Sequence, residues 1–157
     1  MIQEYQVSGF RVREYEELRS TNTEAERVGW DELEDKMVIL TYKQTQGRGQ
    51  VGNHWESEPG KNISMTVVFK PRELPAGQQF AVSMVIALGA CDFISRYVAG
   101  CTVKWPNDIY VGDRKISGIL IEHSIMGRYV GGSLCGIGVN INQEHFLSDA
   151  PNPVSLF

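Results

Sequence analysis

One segment organises this chain: Gln44-Thr45-Gln46-Gly47-Arg48-Gly49-Gln50-Val51-Gly52-Asn53-His54-Trp55. Three glycines fall within six residues, and Arg48 lies between the first two. A backbone this free of side chains can approach a ligand closely and direct several N–H groups at an anion. The planar, permanently charged guanidinium of Arg48 suits a phosphate or a carboxylate. On spacing alone, an ordinary glycine-rich surface loop explains the segment equally well, because glycine motifs produce false positives.

The composition describes one globular domain and excludes several classes of protein. The chain has 157 residues, 42% of them hydrophobic and 22% charged, with a net charge of -4. A general nucleic-acid binder would carry a basic excess instead. Residues 1–6 lack the basic and apolar regions of a signal peptide, and no apolar run approaches the length of a membrane span. We therefore expect a cytoplasmic domain with no nucleic-acid or membrane partner.

The three cysteines, Cys91, Cys101 and Cys135, are odd in number and widely spaced. None of them forms part of a C-x-x-C pair. This pattern is typical of reduced, buried thiols in a cytosolic protein.

Hydrophobic patterning predicts a mixed α+β domain. The apolar run 37–42 is typical of a buried strand and leads directly into the glycine segment. Hairpin turns at 112–113 and 126–127 predict that most neighbouring strands are antiparallel. Further strands are predicted at 10–15, 62–69, 102–105, 109–111, 115–122 and 128–142. Together they predict a largely antiparallel sheet with helices packed on one face.

Two helices are predicted. The first begins in the cluster Ser20-Thr21-Asn22, and Thr23 and Glu26 have the spacing of a capping box. A helix N-terminus also offers free N–H groups to an anion, so this cluster can cap the helix and bind a ligand at once. The second helix is predicted over 78–98. It is expected to pack in the core and to have no catalytic or binding role. Its apolar face comprises Phe80, Met84, Ala87, Leu88, Cys91, Ile94 and Val98.

Polar residues lie where the predicted strands end. Arg48 is in the glycine segment, Lys104 precedes a proline, Lys115 opens a hairpin arm and Asn140 closes the last strand. Strand ends on a rigid sheet commonly carry ligand chemistry. Taken singly, each lysine is better explained as a solvated surface residue. Three cations together suit a substrate with a carboxylate beside phosphates, because preorganised cations offset the repulsion of two anions.

Five sequence blocks, in order, resemble the motifs of biotin protein ligases. The blocks are Ser20-Thr21-Asn22, Gly47-Arg48-Gly49-x-x-Gly52-x-x-Trp55, Lys104-Trp105-Pro106-Asn107-Asp108, Lys115-Ile116-Ser117-Gly118-Ile119-Leu120 and Gly136-Ile137-Gly138-Val139-Asn140. Each block alone is weak evidence, but their order and the K-W-P-N-D block make the resemblance specific. It extends from about Arg13 to Leu156. The resemblance implies the catalytic fold shared by biotin and lipoate ligases, which is similar to that of class II aminoacyl-tRNA synthetases.

The resemblance implies an ATP-dependent biotin protein ligase that works in two steps. The carboxylate of biotin attacks the α-phosphate of ATP, which gives biotinyl-5′-AMP and pyrophosphate. A lysine amine on the biotin carboxyl carrier domain of a carboxylase then attacks this mixed anhydride, which leaves an amide and AMP. Mg²⁺ accompanies ATP as a cofactor, and no dedicated protein cage for the metal is expected.

The same resemblance assigns roles to individual residues. Arg48 and Lys115 are expected at the carboxylate and phosphate, and Lys104 stabilises charge during adenylation. Asp108 is expected to help the incoming lysine lose its proton. The substrate-binding residues are Ser20, Thr21, Gln44 and Gly118 in the biotin pocket, Asn107 near the adenylate, Asn140 near the adenine, and, elsewhere in the substrate site, Asn22, Gly47, Gly49, Gln50, Trp55 and Gly138.

Two departures from the family's pattern affect the glycine segment. Many biotin ligases read G-R-G-R, whereas this chain has Gln50 in place of the second arginine. Asn53 stands where many bacterial members carry another arginine. Glutamine can donate a hydrogen bond to a phosphate but brings no charge, so the adenylate is expected to be held less firmly.

The ends of the resemblance bear on domain organisation. The match begins almost at the first residue, so we expect no N-terminal DNA-binding domain and no repressor role. Residues 151–157 resemble the run that leads, in this family, into a further helix and a small C-terminal β-domain. We therefore expect 1–157 to be a single catalytic domain truncated before that β-domain. Family members often form homodimers through sheet edges, so a homodimer is one oligomeric state that the resemblance implies.

Two alternatives stay open. Lipoate ligases and octanoyl transferases share the architecture and also activate or move an acyl group, although the G-R-G-x-x-G loop and the tryptophan-containing blocks favour biotin. A non-catalytic module that binds biotin or a nucleotide is the other alternative. The presence of Lys104 and Lys115 argues against such a module.

Overall fold

The structure, a computed structural model, describes residues 1–50, 52–147 and 152–157. Its strands are β1 (Ile2–Val7), β2 (Phe10–Tyr15), β3 (Met37–Thr41), β4 (Gly47–Arg48), β5 (His54–Trp55), β6 (Asn62–Phe69), β7 (Cys101–Lys104), β8 (Asp108–Val111), β9 (Arg114–Met126) and β10 (Tyr129–Asn140). Its helices are α1 (Thr21–Val28) and α2 (Phe80–Ser95), the second preceded by a short 3-10 turn at Ala76–Gln78.

Eight of the strands form one mixed sheet in the order β1-β2-β3-β6-β10-β9-β8-β7. β2 and β3 are parallel and are connected through α1, whereas the other neighbouring pairs of this sheet are antiparallel. β4 and β5 form a separate two-stranded hairpin. The predicted α+β class and the largely antiparallel sheet are confirmed. Strand β1 was missed by the sequence prediction.

The central strands are buried as their sequences predict. All five residues of β3 are buried, which agrees with its continuous apolar run. Buried and partly exposed residues alternate along β6, because successive side chains point to opposite faces of a strand. Three of its buried residues are polar: Asn62, Ser64 and Thr66. This face of β6 is therefore not purely a hydrophobic packing surface.

The two helices cover opposite faces of the sheet. α1 packs through Ala25 in a cluster with Val68 and Leu134. α2 packs through Ile94 in a different cluster that includes Ile137. Leu134 and Ile137 are an odd number of residues apart on β10, so their side chains point to opposite faces. The expectation that the helices share one face is therefore wrong.

The long helix α2 is less buried than its sequence predicts. Ala87 and Ile94 are buried, but Phe80, Met84 and Leu88 are between 40% and 64% exposed. Assigning these three residues to the core is wrong for the part of the chain that the structure describes. Helical periodicity identifies an apolar face, but it does not say what covers that face.

The same region has the length and composition of a membrane-crossing helix. Ala76–Ser95 comprises 20 residues and is apolar enough to cross a bilayer. This is contrary to the expectation that no apolar run approaches such a length. One helix of this kind is weak evidence, because core helices of soluble proteins satisfy the same test. The absence of a membrane partner stays a prediction.

Candidate functional site

A cavity of about 560 Å³ opens on the sheet face that carries α1. Fourteen of the sixteen residues predicted for the site line it, since only Gly47 and Asn140 do not. The fourteen are Ser20, Thr21, Asn22, Gln44, Arg48, Gly49, Gln50, Trp55, Lys104, Asn107, Asp108, Lys115, Gly118 and Gly138. The fold thus brings together segments that are far apart in the sequence.

The start of α1 forms a buried polar corner made of Ser20, Thr21, Asn22, Gln44 and Thr66. Ser20 is the N-cap, and its hydroxyl accepts a hydrogen bond from the N–H of residue 23 at 3.4 Å. The N–H of Thr21 donates to Gln44 Oε1 at 3.0 Å. Thr66 Oγ1 lies 2.8 Å from Thr21 Oγ1 and 2.5 Å from Asn22 Oδ1. All five residues are at most 8% exposed, so this network holds the polar corner in place.

The predicted capping box at Thr23 and Glu26 is wrong. The helix starts at Thr21 with Ser20 as its N-cap, so the predicted cluster Ser20-Thr21-Asn22 is confirmed as the helix start, and the cap lies three residues before Thr23. Thr23 and Glu26 instead reach across to Arg48, whose Nη1 is 3.2 Å from Thr23 Oγ1 and 3.2 Å from Glu26 Oε2. Thr23 and Glu26, one helical turn apart, therefore connect α1 to the glycine segment through Arg48.

The glycine segment folds into a small β-hairpin rather than an open cradle. β4 pairs with β5, and beyond this pair the N–H of Gly49 donates to the backbone oxygen of Asn53 at 3.0 Å. The N–H of Asn53 donates to the backbone oxygen of Gln50 at 2.8 Å. Gly52 has a φ of 87°, a conformation that glycine adopts without strain. Two N–H groups that could have faced an anion are therefore used within the hairpin.

Three glycines, Gly118, Gly136 and Gly138, line the cavity where it meets the sheet, and we call this surface the glycine floor. Gly118 of β9 and Gly138 of β10 are paired directly, and the Trp55 ring lies against both. A Cβ atom would lie 2.9 Å from the ring at Gly118 and 2.3 Å from it at Gly138. A Cβ at Gly136 would lie 2.4 Å from Asn22 Oδ1. Only glycine leaves room for these neighbours.

The two predicted residues outside the cavity lining have other contacts. A Cβ at Gly47 would lie 2.4 Å from the backbone oxygen of Trp55, so Gly47 permits the close approach within the hairpin. Asn140 is buried, and its Nδ2 donates to the backbone oxygen of Val154 at 3.2 Å. The N–H of Leu156 donates to the backbone oxygen of Asn140 at 3.1 Å. Asn140 holds the C-terminal residues against the sheet, and its position near an adenine stays a prediction.

Arg48 is a cation that is already paired with carboxylates. Its guanidinium forms ion pairs with Glu26 and Glu122, and Glu122 also accepts a hydrogen bond from Asn22 Nδ2 at 2.8 Å. Burial acts to lower the pKa of Arg48, but the two carboxylates outweigh it and the pKa is raised. Arg48 therefore stays charged, and an anion that binds it competes with Glu122.

The two lysines of the cavity differ in their partners. Lys115 Nζ is 2.8 Å from Asp108 Oδ1 and 5.8 Å from the centre of the Trp55 ring. Lys104 Nζ is 3.1 Å from Tyr110 Oη and 4.6 Å from the centre of its ring. Lys104 thus contacts a phenol where Lys115 contacts a carboxylate. The charge of Lys104 is the less neutralised of the two.

Asn107 fixes the turn between β7 and β8. Its Nδ2 donates to the backbone oxygen of Ile119 at 2.9 Å, and the N–H of Ile119 donates back to the backbone oxygen of Asn107 at 2.9 Å. This reciprocal pair ties the turn to β9. It thereby sets the positions of Lys104 and Asp108 on either side of the turn.

A comparison with known families decides the classification. The profile of the Biotin/lipoate A/B protein ligase family matches residues 15–140. The chain belongs to this family. The matched range contains all five of the sequence blocks and every predicted site residue.

Curated relatives of the family include proteins that are longer than this chain. A biotin--[acetyl-CoA-carboxylase] ligase of Paracoccus denitrificans is 34% identical over 124 residues, which cover 78% of this chain and 51% of that protein. The bifunctional ligase/repressor BirA of Bacillus subtilis is 28% identical over 140 residues, which cover 88% of this chain and 43% of that protein. This chain therefore spans about half the length, or less, of these relatives.

Solved structures of the family share the fold. The biotin protein ligase from Aquifex aeolicus in complex with biotin and ATP is similar with a TM-score of 0.74 and 24% identity, over 92% of this chain and 59% of that one. The biotin acetyl coenzyme A carboxylase synthetase from Helicobacter pylori with bound biotinylated ATP has a TM-score of 0.65 and 27% identity, over 90% and 64%. The expected biotin–lipoate ligase fold is confirmed.

Several residues of this site were not predicted from the sequence, and three of them are polar residues beside the predicted ones. Ser64 lines the cavity from the buried face of β6, Tyr110 contacts Lys104, and Glu122 pairs with Arg48. Polar residues at successive inward positions of β6 were a usable signal for Ser64. No local sequence pattern indicates a role for Tyr110 or Glu122, because their partners lie on another strand or in the hairpin.

Alanine at Gly138 is expected to destabilise the protein by roughly 1–3 kcal/mol, the usual cost of overpacking, because its methyl group would overlap the Trp55 ring. Gly89→Ala is the matched control. A Cβ at Gly89 has no neighbour within 4 Å, and this position lies inside α2, where alanine is favoured over glycine. Chemical denaturation measures both free energies of unfolding. Equal effects of the two substitutions would show that Trp55 does not need the glycine floor.

Neutralising Glu122 is expected to strengthen anion binding. Glu122→Gln keeps the side-chain shape but removes the carboxylate that competes for Arg48. The dissociation constant for inorganic pyrophosphate should fall about tenfold, which corresponds to roughly 1.4 kcal/mol. Calorimetry at constant ionic strength measures the change, since salt screens the interaction. Glu32→Gln, an exposed residue outside the cavity lining, is the control. Weaker binding by Glu122→Gln would show that Glu122 positions Arg48 instead.

Proposed function

We propose that this chain is the catalytic part of an ATP-dependent biotin protein ligase. It would activate biotin as biotinyl-5′-AMP and transfer it to a lysine of the biotin carboxyl carrier domain of a carboxylase. The observation that carries the proposal is the cavity of about 560 Å³, in which the polar corner, the glycine floor and three cations meet. The family and the names of the relatives support a ligase that acts on biotin.

The polar corner suits the ring system of biotin. One end of that ring system is a cyclic urea with one carbonyl acceptor and two N–H donors. Ser20, Thr21 and Gln44 present hydroxyl and amide groups at the cavity, and Ser64 adds a further hydroxyl. A site built to hydrogen-bond a polar group discriminates strongly against an analogue that lacks it. The dithiolane ring of lipoate has no such groups, so the polar corner favours biotin.

The three cations support the adenylation step. The carboxylate oxygen of biotin forms a bond to the α-phosphorus of ATP, and the bond from that phosphorus to the bridging oxygen breaks as pyrophosphate leaves. Both reactants are anionic, so their approach requires positive charge held in place. Arg48, Lys104 and Lys115 supply it from three different parts of the fold. Lys104, with its phenol partner, is the most available of the three to a phosphate.

The Lys115–Asp108 ion pair supports a role in both steps. When Lys115 turns towards a phosphate, Asp108 loses the cation that lies 2.8 Å away. The freed carboxylate can then accept the proton of the incoming lysine's amine. The amine attacks the acyl carbon, AMP leaves, and the proton goes to Asp108. No covalent enzyme nucleophile is needed, because the acid is already activated as an anhydride.

Mg²⁺ is proposed to arrive with ATP. Within residues 1–50, 52–147 and 152–157, no group of three or more His, Cys, Asp or Glu side chains could hold a metal ion. Magnesium on a nucleotide needs only one or two protein carboxylates besides phosphate oxygens and water. Asp108 is the carboxylate of the cavity closest to the lysines that would hold the phosphates. When bound, the metal would offset phosphate charge.

Lys115→Gln is expected to lower biotin-dependent exchange of pyrophosphate into ATP by about 10²–10³-fold, the effect of losing one preorganised transition-state donor. Lys43→Gln is the matched control, because Lys43 is an exposed lysine paired with Glu17 outside the cavity lining. Isotope exchange measures the adenylation half-reaction alone. An equal, small effect of both substitutions would contradict the role given to Lys115.

The same exchange assay, run with biotin, lipoate or octanoate, tests the proposed substrate. Exchange with biotin alone is expected. Exchange with lipoate or octanoate alone would overturn the proposal and favour an acyl ligase of the same family. Biotin binding without exchange would favour a non-catalytic module. Transfer of labelled biotin to a carrier domain then tests the second step.

Gln50→Arg is expected to slow the escape of free biotinyl-5′-AMP about tenfold, because a charge-assisted hydrogen bond to a phosphate is worth roughly 1.5–3 kcal/mol. Gln50 lines the cavity from the hairpin. Gln3→Arg, on the edge strand β1, adds the same charge away from the cavity and is the control. The release rate is measured by trapping adenylate from a single turnover. An unchanged release rate in Gln50→Arg would contradict the proposal that residue 50 contacts the adenylate.

A further inference from the structure

Two of the three cysteines are in contact. Cys91 lies in α2 and Cys101 is the first residue of β7, and their Sγ atoms are 3.1 Å apart. Both are partly exposed, whereas Cys135 is fully buried. The sequence predicted buried thiols, but Cys91 and Cys101, ten positions apart in the chain, are only partly buried and are brought into contact by the packing of α2 on the sheet. That expectation is corrected for these two residues.

The contact occurs at the margin of the sheet. In the strand order of the described sheet, β7 is an edge strand, hydrogen-bonded to β8 and packed against α2. Cys91 and Cys101 both pack at the periphery of the apolar cluster beneath α2. A covalent link at this point would fasten an edge strand that otherwise depends on one neighbouring strand and on α2.

We propose that Cys91 and Cys101 are a reversible redox pair that closes to a disulfide and fastens β7 to α2. The oxidant is a small-molecule disulfide such as oxidised glutathione. One cysteine thiolate attacks it, forms a mixed disulfide and releases one small thiol. The second cysteine then attacks the protein sulfur of the mixed disulfide and releases the other. Two protein thiols are oxidised, one small disulfide is reduced to two thiols, and both protons leave with them.

The geometry requires little movement. A disulfide bond is about 2.05 Å long, so the two sulfur atoms need to approach by only about 1 Å. Burial, together with the hydrogen bond between the Cys101 thiol and Cys91, raises the pKa of the Cys101 thiol to about 11. Because thiolate is the attacking species, closure at neutral pH is slow. The pair therefore equilibrates with its surroundings over a long incubation rather than reacting at once.

Closure bears on the cavity through β7. This strand ends at Lys104, three residues after Cys101, and Lys104 lines the cavity. A link at the first residue of β7 restrains the strand that carries this cation. Amide hydrogen exchange of residues 101–104 is expected to slow in the oxidised protein.

The first experiment maps the disulfide. The whole 157-residue chain is incubated without oxygen in glutathione buffers of graded ratio, quenched in acid, alkylated under denaturing conditions and analysed by peptide mass spectrometry. An intramolecular link between Cys91 and Cys101 is expected, with Cys135 alkylated at every ratio as the internal control. Mixed disulfides without this link in the most oxidising buffer, or links that involve Cys135, would overturn the proposal.

Thermal unfolding of cysteine variants provides a second, independent test. Oxidation is expected to raise the thermal midpoint of the wild-type chain by about 5 °C, reversibly on reduction. Cys91→Ser and Cys101→Ser should each abolish both the link and this rise, whereas Cys135→Ala should keep them. A rise that persists in either serine variant would refute the assignment. No biotin or ATP is present, so the outcome is independent of the proposed ligase activity.

Discussion

The site depends on the close contact between the Trp55 indole and the bare backbones of Gly118 and Gly138. These glycines are paired on neighbouring strands, so two adjacent strands lack side chains at the same level of the sheet. The gap they leave accepts one aromatic ring. Trp55, held in this gap, fixes the β4–β5 hairpin over the sheet, and the hairpin carries Arg48 to α1. Steric room in the sheet therefore decides where the charge of the glycine segment is placed.

A second constraint is electrostatic. Two of the three cations in the cavity are paired with carboxylates, Arg48 with Glu26 and Glu122, and Lys115 with Asp108. An isolated buried charge is costly, so a site that needs several cations must compensate for them when no anion is bound. In the proposed function, phosphate or substrate oxygens would replace these carboxylates beside Arg48 and Lys115. Binding of an anionic substrate would then exchange one anion for another beside each paired cation.

Features that depend on local spacing could be predicted, and features that depend on which surfaces meet could not. Strand β6 has the predicted limits because alternation along a strand is a property of neighbouring residues. The motif blocks indicated one cavity because each supplies its residues from a single turn or strand. Thr23 pairs with Arg48 rather than capping a helix, and Cys91 meets Cys101, because of tertiary packing. The spacing of residues within one segment does not predict such tertiary contacts.

Some polar side chains of the cavity have atoms without hydrogen-bond partners among the described residues. Trp55 and Ser64 line the cavity, and their buried Nε1 and Oγ atoms have no hydrogen-bond partner in the part of the chain that the structure describes. On the same face of β6, Asn62 donates to Gln143 and Thr66 lies within the polar corner, so Ser64 is an open position between two satisfied ones. Each unsatisfied buried group costs about 1–3 kcal/mol. A ligand that supplies hydrogen-bond partners to these two groups would recover that free energy on binding, so the two groups bear directly on ligand affinity.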